Sequence, residues 1–108
     1  MKDYIEQDIK KLVSSSYGAC LATDKITVEG EPVRFMYREP TEEGMDSGWR
    51  FTAGTEDQEY MDDPTNSGIF DVNTIANYDP RIIPYLKAPH ETAWELDEET
   101  GKFIQTEY

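Results

Sequence analysis

The segment Asp62-Asp63-Pro64-Thr65-Asn66-Ser67-Gly68 has the oxygen-bearing side chains and the glycine that a cation-binding loop needs. A calcium loop requires oxygen ligands at positions 1, 3 and 5, glycine at 6 and a bidentate glutamate at 12. Counted from Asp63, residues Thr65, Ser67 and Gly68 fall into place, but position 12 is Thr74. Counted from Asp62, position 3 is Pro64. Neither frame closes. Zinc lacks its usual donors, because the chain has one histidine, His90, and one cysteine, Cys20. His90 follows Pro89 in a stretch that reads as a solvated loop, with no serine or cysteine beside it in a nucleophile motif. Cys20 lies in the apolar run Gly18-Ala19-Cys20-Leu21-Ala22, where a thiol is core packing rather than a nucleophile. No glycine-rich phosphate cradle is present. Carboxylate pairs are unavoidable among 23 acids. Acid–base chemistry needs one of a pair desolvated enough to hold a proton, which spacing alone does not reveal. The expectation is no catalytic residue, no metal and no cofactor.

Binding chemistry has more to work with. Residues 41–63 contain eight acids and one base, Arg50, interleaved with Trp49, Phe51, Tyr60 and Met61. Aromatic side chains inside a charged rim are the composition of protein-binding hot spots. The candidate partner-binding residues are Trp49, Arg50, Glu56, Asp57, Glu59, Tyr60, Asp62 and Asp63. The plainer alternative makes Phe51 and Met61 core and the acids a solvated face. Trp49 and Phe51 share a parity, so one side of their strand is buried and Arg50 points the other way, toward a nearby acid. A second group is polar. The run Asn73-Thr74-Ile75-Ala76-Asn77-Tyr78-Asp79 is rich in hydrogen-bonding groups for a helix beside a core. A pocket joining Tyr37, Arg38, Asn73 and Tyr78 would give it a ligand-binding or enzymatic role. Capping and buried hydrogen bonds are the plainer account.

The elements that must position these residues follow from periodicity. Ile5, Ile9, Leu12 and Val13 recur at i, i+4, i+7 and i+8, which predicts a helix over about 3–13, with Asp3 and Glu6 as a capping box. Residues 18–28 read as a strand that pairs in a hairpin with Val33, Phe35 and Tyr37, which alternate with Arg34, Met36 and Arg38. A third strand runs over 49–53 and closes at Gly54. A short helix starts at Thr55, with Gln58 at the capping-box position. Ile69-Phe70 is a short strand. Asp71 and Asp79 cap two further helical segments, with Pro80 at the first helical position of the second. Residues 92–96 and 102–105 form a final hairpin over about 92–106, around Asp97-Glu98-Glu99-Thr100-Gly101. The order α-β-β-β-α-β-α-α-β-β predicts a single α+β domain over 1–108. Its sheet would be mainly antiparallel, with four to six strands, an N-terminal helix and short helices between strands.

The 108 residues carry a formal net charge of -13, unevenly spread: residues 1–40 hold seven acids against six bases, and residues 41–108 hold sixteen against four. Such a surface repels nucleic acid and anionic membranes and attracts a basic protein. No apolar run approaches the roughly 20 residues of a membrane span, and no basic start followed by an apolar stretch marks a signal peptide. The expected location is the cytoplasm.

Four motifs in order carry a resemblance: Met36-Tyr37-Arg38-Glu39-Pro40; Asp46-Ser47-Gly48-Trp49-Arg50-Phe51 with Gly54; Glu59-Tyr60-Met61-Asp62-Asp63-Pro64; and Asp71-Val72-Asn73-Thr74-Ile75-Ala76-Asn77-Tyr78-Asp79-Pro80. Together they resemble a family of small acidic bacterial domains, first catalogued as a domain of unknown function and later grouped with immunity proteins of polymorphic toxin systems. The likeness covers about residues 17–96, leaving the N-terminal helix and the final hairpin outside. It implies a cytoplasmic protein that binds and neutralises a toxin domain, and it brings no catalytic residues with it. The expected partner is therefore another protein with a basic surface. A regulatory or scaffold domain that binds a cellular protein, and a small enzyme using Asp, Glu, Tyr or Arg, remain open beside it.

Overall fold

Met36, rather than its aromatic neighbours, faces the core. It lies on β2 (Phe35–Arg38) and is fully buried, while Phe35 and Tyr37 on the opposite parity are half-buried. The cross-strand partners explain the choice. Met36 stands opposite Phe51 of β3 (Asp46–Thr52) on one side and Trp94 of β5 (Thr92–Asp97) on the other. Side chains directly opposite in an antiparallel pair share a face, so Met36 joins Phe51 and Trp94 in one apolar row. The expected strand is present, with the faces exchanged: Phe35 and Tyr37 belong to the outer side. Val33, which has their parity, is buried just before the strand begins.

The computed structural model describes residues 2–108. The remaining strands are β1 (Ala19–Thr23), β4 (Ser67–Asp71) and β6 (Lys102–Thr106). They form one six-stranded sheet in the order β4-β1-β3-β2-β5-β6. Only β1 and β3 run parallel; the other four pairings are antiparallel. The fold is thus α+β with a mostly antiparallel sheet. One face is covered by α3 (Val72–Tyr78), the 3₁₀ turn Pro80–Tyr85 and Leu86 just after it, which contribute Val72, Ile75, Ala76, Ile82 and Leu86 to the core. Beneath them lie Cys20, Ala22, Met36, Trp49, Phe51 and Phe103. Trp49 and Phe51 stack at 5.9 Å, and the Trp49 indole donates to the Leu86 carbonyl at 3.1 Å. Each large side chain buried in this way stabilises the fold by about 1.5–3 kcal/mol.

Both aspartate caps on this covering layer form as expected. Asp71 accepts from the Asn73 amide at 2.8 Å and Asp79 from the Arg81 amide at 3.2 Å. Asp79 also reaches the buried Val33 amide at 3.0 Å, tying the helical layer to the start of β2.

Three expectations change. The predicted hairpin between 18–28 and 33–38 does not form. The first strand ends at Thr23, a helical turn α1 (Asp24–Thr27) follows, and β3 separates β1 from β2. Ile26 and Thr27 are both buried. Consecutive residues of a strand point to opposite faces, so a sheet covered on one side favours a turn there. The predicted helix over 3–13 is also absent, since residues 2–14 run without regular secondary structure. Of its apolar stripe only Val13 packs against the core; Ile5, Ile9 and Leu12 are exposed. Its backbone is instead tied to α3 by side-chain hydrogen bonds, and a short helix with no buried side is marginal in water. The third change is at the helix expected from Thr55. It is α2 (Gln58–Asp62), capped by Asp57, which accepts from the Tyr60 amide at 2.8 Å.

Candidate partner-binding face

The helical layer covers one side of the sheet only. Register places two rows of side chains on the other. One row runs Ile69, Leu21, Arg50, Tyr37, Ala93, and the next runs Thr52, Phe35, Glu95, Ile104. Ile69 and Ile104, on the two edge strands, are 76% and 55% exposed. These apolar side chains face solvent because no element of the described chain packs over them.

Arg50 organises the middle of this face. Its Nε donates to Glu39 at 2.8 Å, and its two terminal nitrogens donate to the Asp46 carboxylate at 3.0 Å each. Its side chain is only 11% exposed. Burial alone would lower its pKa, but the bonds to Asp46 and Glu39 outweigh burial and raise it. The hydrogen bonds from Arg50, with one from the Gly48 amide, hold the Asp46 carboxyl below its ordinary value. Gly48 has a φ of +86°, and a β-carbon there would strike the Glu39 carbonyl. Glycine therefore lets β3 run close enough to Glu39 for Arg50 to reach both acids. Beside Arg50, burial and then Glu39 push the Tyr37 phenol upward, so it stays protonated at neutral pH.

A cleft of about 750 Å³ opens over the second row. Phe35 and Tyr37 lie in it with ring centroids 5.8 Å apart. On the β3 side it is bounded by Thr52, Thr55, Glu56 and Met61, and on the β5 side by Glu95, Leu96, Asp97 and Glu98. Met61 is an exposed member of this wall and not a core residue.

Of the acidic segment 56–63, Glu56 and Met61 line this cleft, while Asp57, Glu59, Asp62 and Asp63 line a separate concavity beside Tyr60, and these acids differ in duty. Glu56 folds back to accept from Thr23 Oγ1 and from the Ala53 and Gly54 amides. Asp57 caps α2, and Asp63 accepts from Thr65 in the next turn. Hydrogen bonds from Thr65 lower the Asp63 pKa. Among the described residues, Glu59 and Asp62 are exposed and cap nothing, and Asp62 accepts a hydrogen bond from Gln58 at 2.8 Å. Tyr60 is half-buried beneath Lys25, whose ammonium is 5.4 Å from the ring centroid. Trp49 is not on this face at all. It is fully buried on the core side and cannot touch a partner.

The polar residues Tyr37, Arg38, Asn73 and Tyr78 are not brought together. Tyr37 is on the open face. Arg38 is on the core-facing parity at the end of β2, where it donates to the carbonyls of Ser47 at 2.8 Å and Ala88 at 2.7 Å and lies over the Trp49 ring. Asn73 and Tyr78 hold residues 2–14 instead. Asn73 accepts from the Leu12 and Val13 amides and donates to the Lys10 carbonyl, and Tyr78 donates to the Ile5 carbonyl at 2.6 Å. The polar character of α3 is the hydrogen bonding of this strap. Cys20 is buried, and burial above all pushes its thiol up. His90 is exposed. Among the described residues no three His, Cys, Asp or Glu side chains are placed to hold a metal ion, and no helix is long and apolar enough to cross a membrane.

Sequence reasoning missed Phe35, Leu21, Ile69 and Ile104 as surface residues. The available signal was parity. Once Trp49 and Phe51 are core, antiparallel pairing puts Met36 or its neighbours opposite them, and the register decides which.

Comparison with protein families matches residues 20–107 to the immunity protein Imm33 domain. The match takes in the final hairpin and leaves the strap of residues 2–14 outside. No curated protein and no solved structure matches the chain.

Proposed function

We propose, because the chain belongs to the immunity protein Imm33 domain family, that it neutralises a cognate toxin in the cytoplasm by binding it through the open face of the sheet. The observation that supports this face is the cleft over Phe35 and Tyr37, an aromatic surface left uncovered beneath an acidic rim. Exposed apolar patches rimmed by polar groups mark interaction sites. A standard interface buries about 800 Å² on each partner, which is a modest part of the 6613 Å² this protein exposes.

The division of labour follows from the chemistry. Charges at a rim act on the rate of encounter, while buried aromatic anchors act on residence time. Glu59 and Asp62, free of capping duty, steer a basic toxin surface. Phe35, Tyr37 and Met61 hold it. Neutralisation on this reading needs no bond to be made or broken by the protein, only occupation of a surface the toxin requires.

The test is co-expression with toxin domains encoded beside this chain's gene. Growth should be rescued, and a stable complex should be isolated. Tyr37→Ala should weaken that complex by more than about 2 kcal/mol, the hot-spot threshold. Rescue with unchanged affinity in Tyr37→Ala would move the binding site elsewhere. Failure of every neighbouring toxin to bind would remove the immunity reading itself.

A further inference from the structure

The cleft brings three features together. Its floor carries two aromatic rings, Phe35 and Tyr37. Directly across from Phe35 on the neighbouring strand stands Glu95, which is exposed and makes no ion pair among the described residues. Its wall already lodges a guanidinium: Arg34 reaches Glu31 at 3.1 Å and Glu98 at 3.3 Å. Arg34 is also the only cation lining the cleft among the described residues, against four carboxylates.

We propose that this cleft seats an arginine side chain from the toxin, its guanidinium lying against the ring of Tyr37 or Phe35 and forking onto the Glu95 carboxylate. The proposal rests on the immunity reading and specifies what the partner presents. A planar guanidinium stacks on aromatic faces and pairs with a carboxylate through two parallel hydrogen bonds, whereas an ammonium is a strongly hydrated point charge. The protein uses the same chemistry internally, where the Arg38 guanidinium lies 5.7 Å from the Trp49 ring centroid. A second copy of this chain is a poor occupant, since two surfaces of net charge -13 repel each other.

The experiment titrates the isotope-labelled protein with acetyl-Gly-Arg-Gly-amide, at about 0.15 M salt so that loose ion-atmosphere binding is screened. The isosteric citrulline peptide and the lysine peptide serve as probes beside it. The arginine peptide should shift the amides of Phe35, Tyr37, Thr52 and Glu95 in a saturable way. The lysine peptide should do so more weakly and the citrulline peptide hardly at all. Glu95→Gln, a change at an exposed position, should weaken the arginine titration by about tenfold, the order expected for losing one charge-assisted pair. Equal shifts with citrulline, shifts spread over Glu59, Asp62 and other surface acids, or an unchanged titration in Glu95→Gln would each overturn the proposal. The toxin complex then separates the two levels. If the toxin binds wild type and Glu95→Gln equally well, the arginine seat is wrong and the immunity reading stands. If no toxin binds wild type, both fall.

Discussion

Arg50 and Asp46 show how single residues set the character of the open face. A guanidinium this deep is tolerated because two carboxylates meet it. Asp46→Asn should therefore destabilise the fold at neutral pH by about 1.5–3 kcal/mol, the range for a hydrogen bond to a charged group. The pH dependence has a definite sign. The folded pKa of Asp46 is depressed, so its contribution is fully present above the ordinary aspartate value of about 3.9 and is lost as pH falls through the lower folded value. Denaturation curves for wild type and Asp46→Asn should be well separated at neutral pH and converge in strong acid. A constant gap across that range would contradict the ion-pair account. At this scale the core was legible and the surface was not. Two large aromatics two residues apart, Trp49 and Phe51, identify a buried parity. In Phe35-Met36-Tyr37 both parities are apolar, so only the cross-strand partners of Met36 decide which side faces out.

Among the elements, caps and straps carry different loads. Asp71 and Asp79 were readable as caps because a short acceptor precedes each helical segment. What the local pattern could not show is that Asp79 also accepts from the Val33 amide, 46 residues away. Asp79→Ala should leave that buried donor unsatisfied and cost about 2–4 kcal/mol, whereas Asp57→Ala, which removes only an exposed cap, should cost about 1 kcal/mol. Chemical denaturation of the two variants compares them directly, and equal losses would deny Asp79 its second role. The N-terminal segment illustrates the opposite failure. Its periodicity fits a helix, but periodicity states only that one side is apolar, and the segment instead runs as a strap along α3 with Ile5, Ile9 and Leu12 exposed. The segment is held by side chains of α3 instead. Asn73→Ala should speed hydrogen exchange at Leu12 and Val13 while leaving the amides of β3 protected. Slow exchange at Leu12 and Val13 in that variant would show that Asn73 does not anchor the strap.

Over the whole molecule, one face is closed by helices and the other is open, and the charge is concentrated in the second half of the chain. The charge was countable from the sequence. The open face was not, because it depends on which strands become neighbours, and the parallel pairing of β1 with β3 leaves no local mark. Charge and face together predict separable kinetics. Glu59→Lys with Asp62→Lys should slow association with the toxin and flatten its salt dependence, with little change in dissociation. An unchanged association rate would show that this rim does not steer the encounter.

If the toxin binds the open face, its affinity should respond to changes at exposed positions on that face and not to changes on the opposite side of the molecule. Ile69→Lys and Ile104→Lys change side chains 76% and 55% exposed on the open face, and Lys87→Glu changes an exposed residue that follows the covering helical turn. All three positions are solvent-facing, so the fold should survive each change. At least one of the lysine variants should lose more than about tenfold in Kd, which is roughly 1.4 kcal/mol, while Lys87→Glu stays close to wild type. Full affinity in both lysine variants with a loss in Lys87→Glu would place the toxin on the helical side and contradict the account.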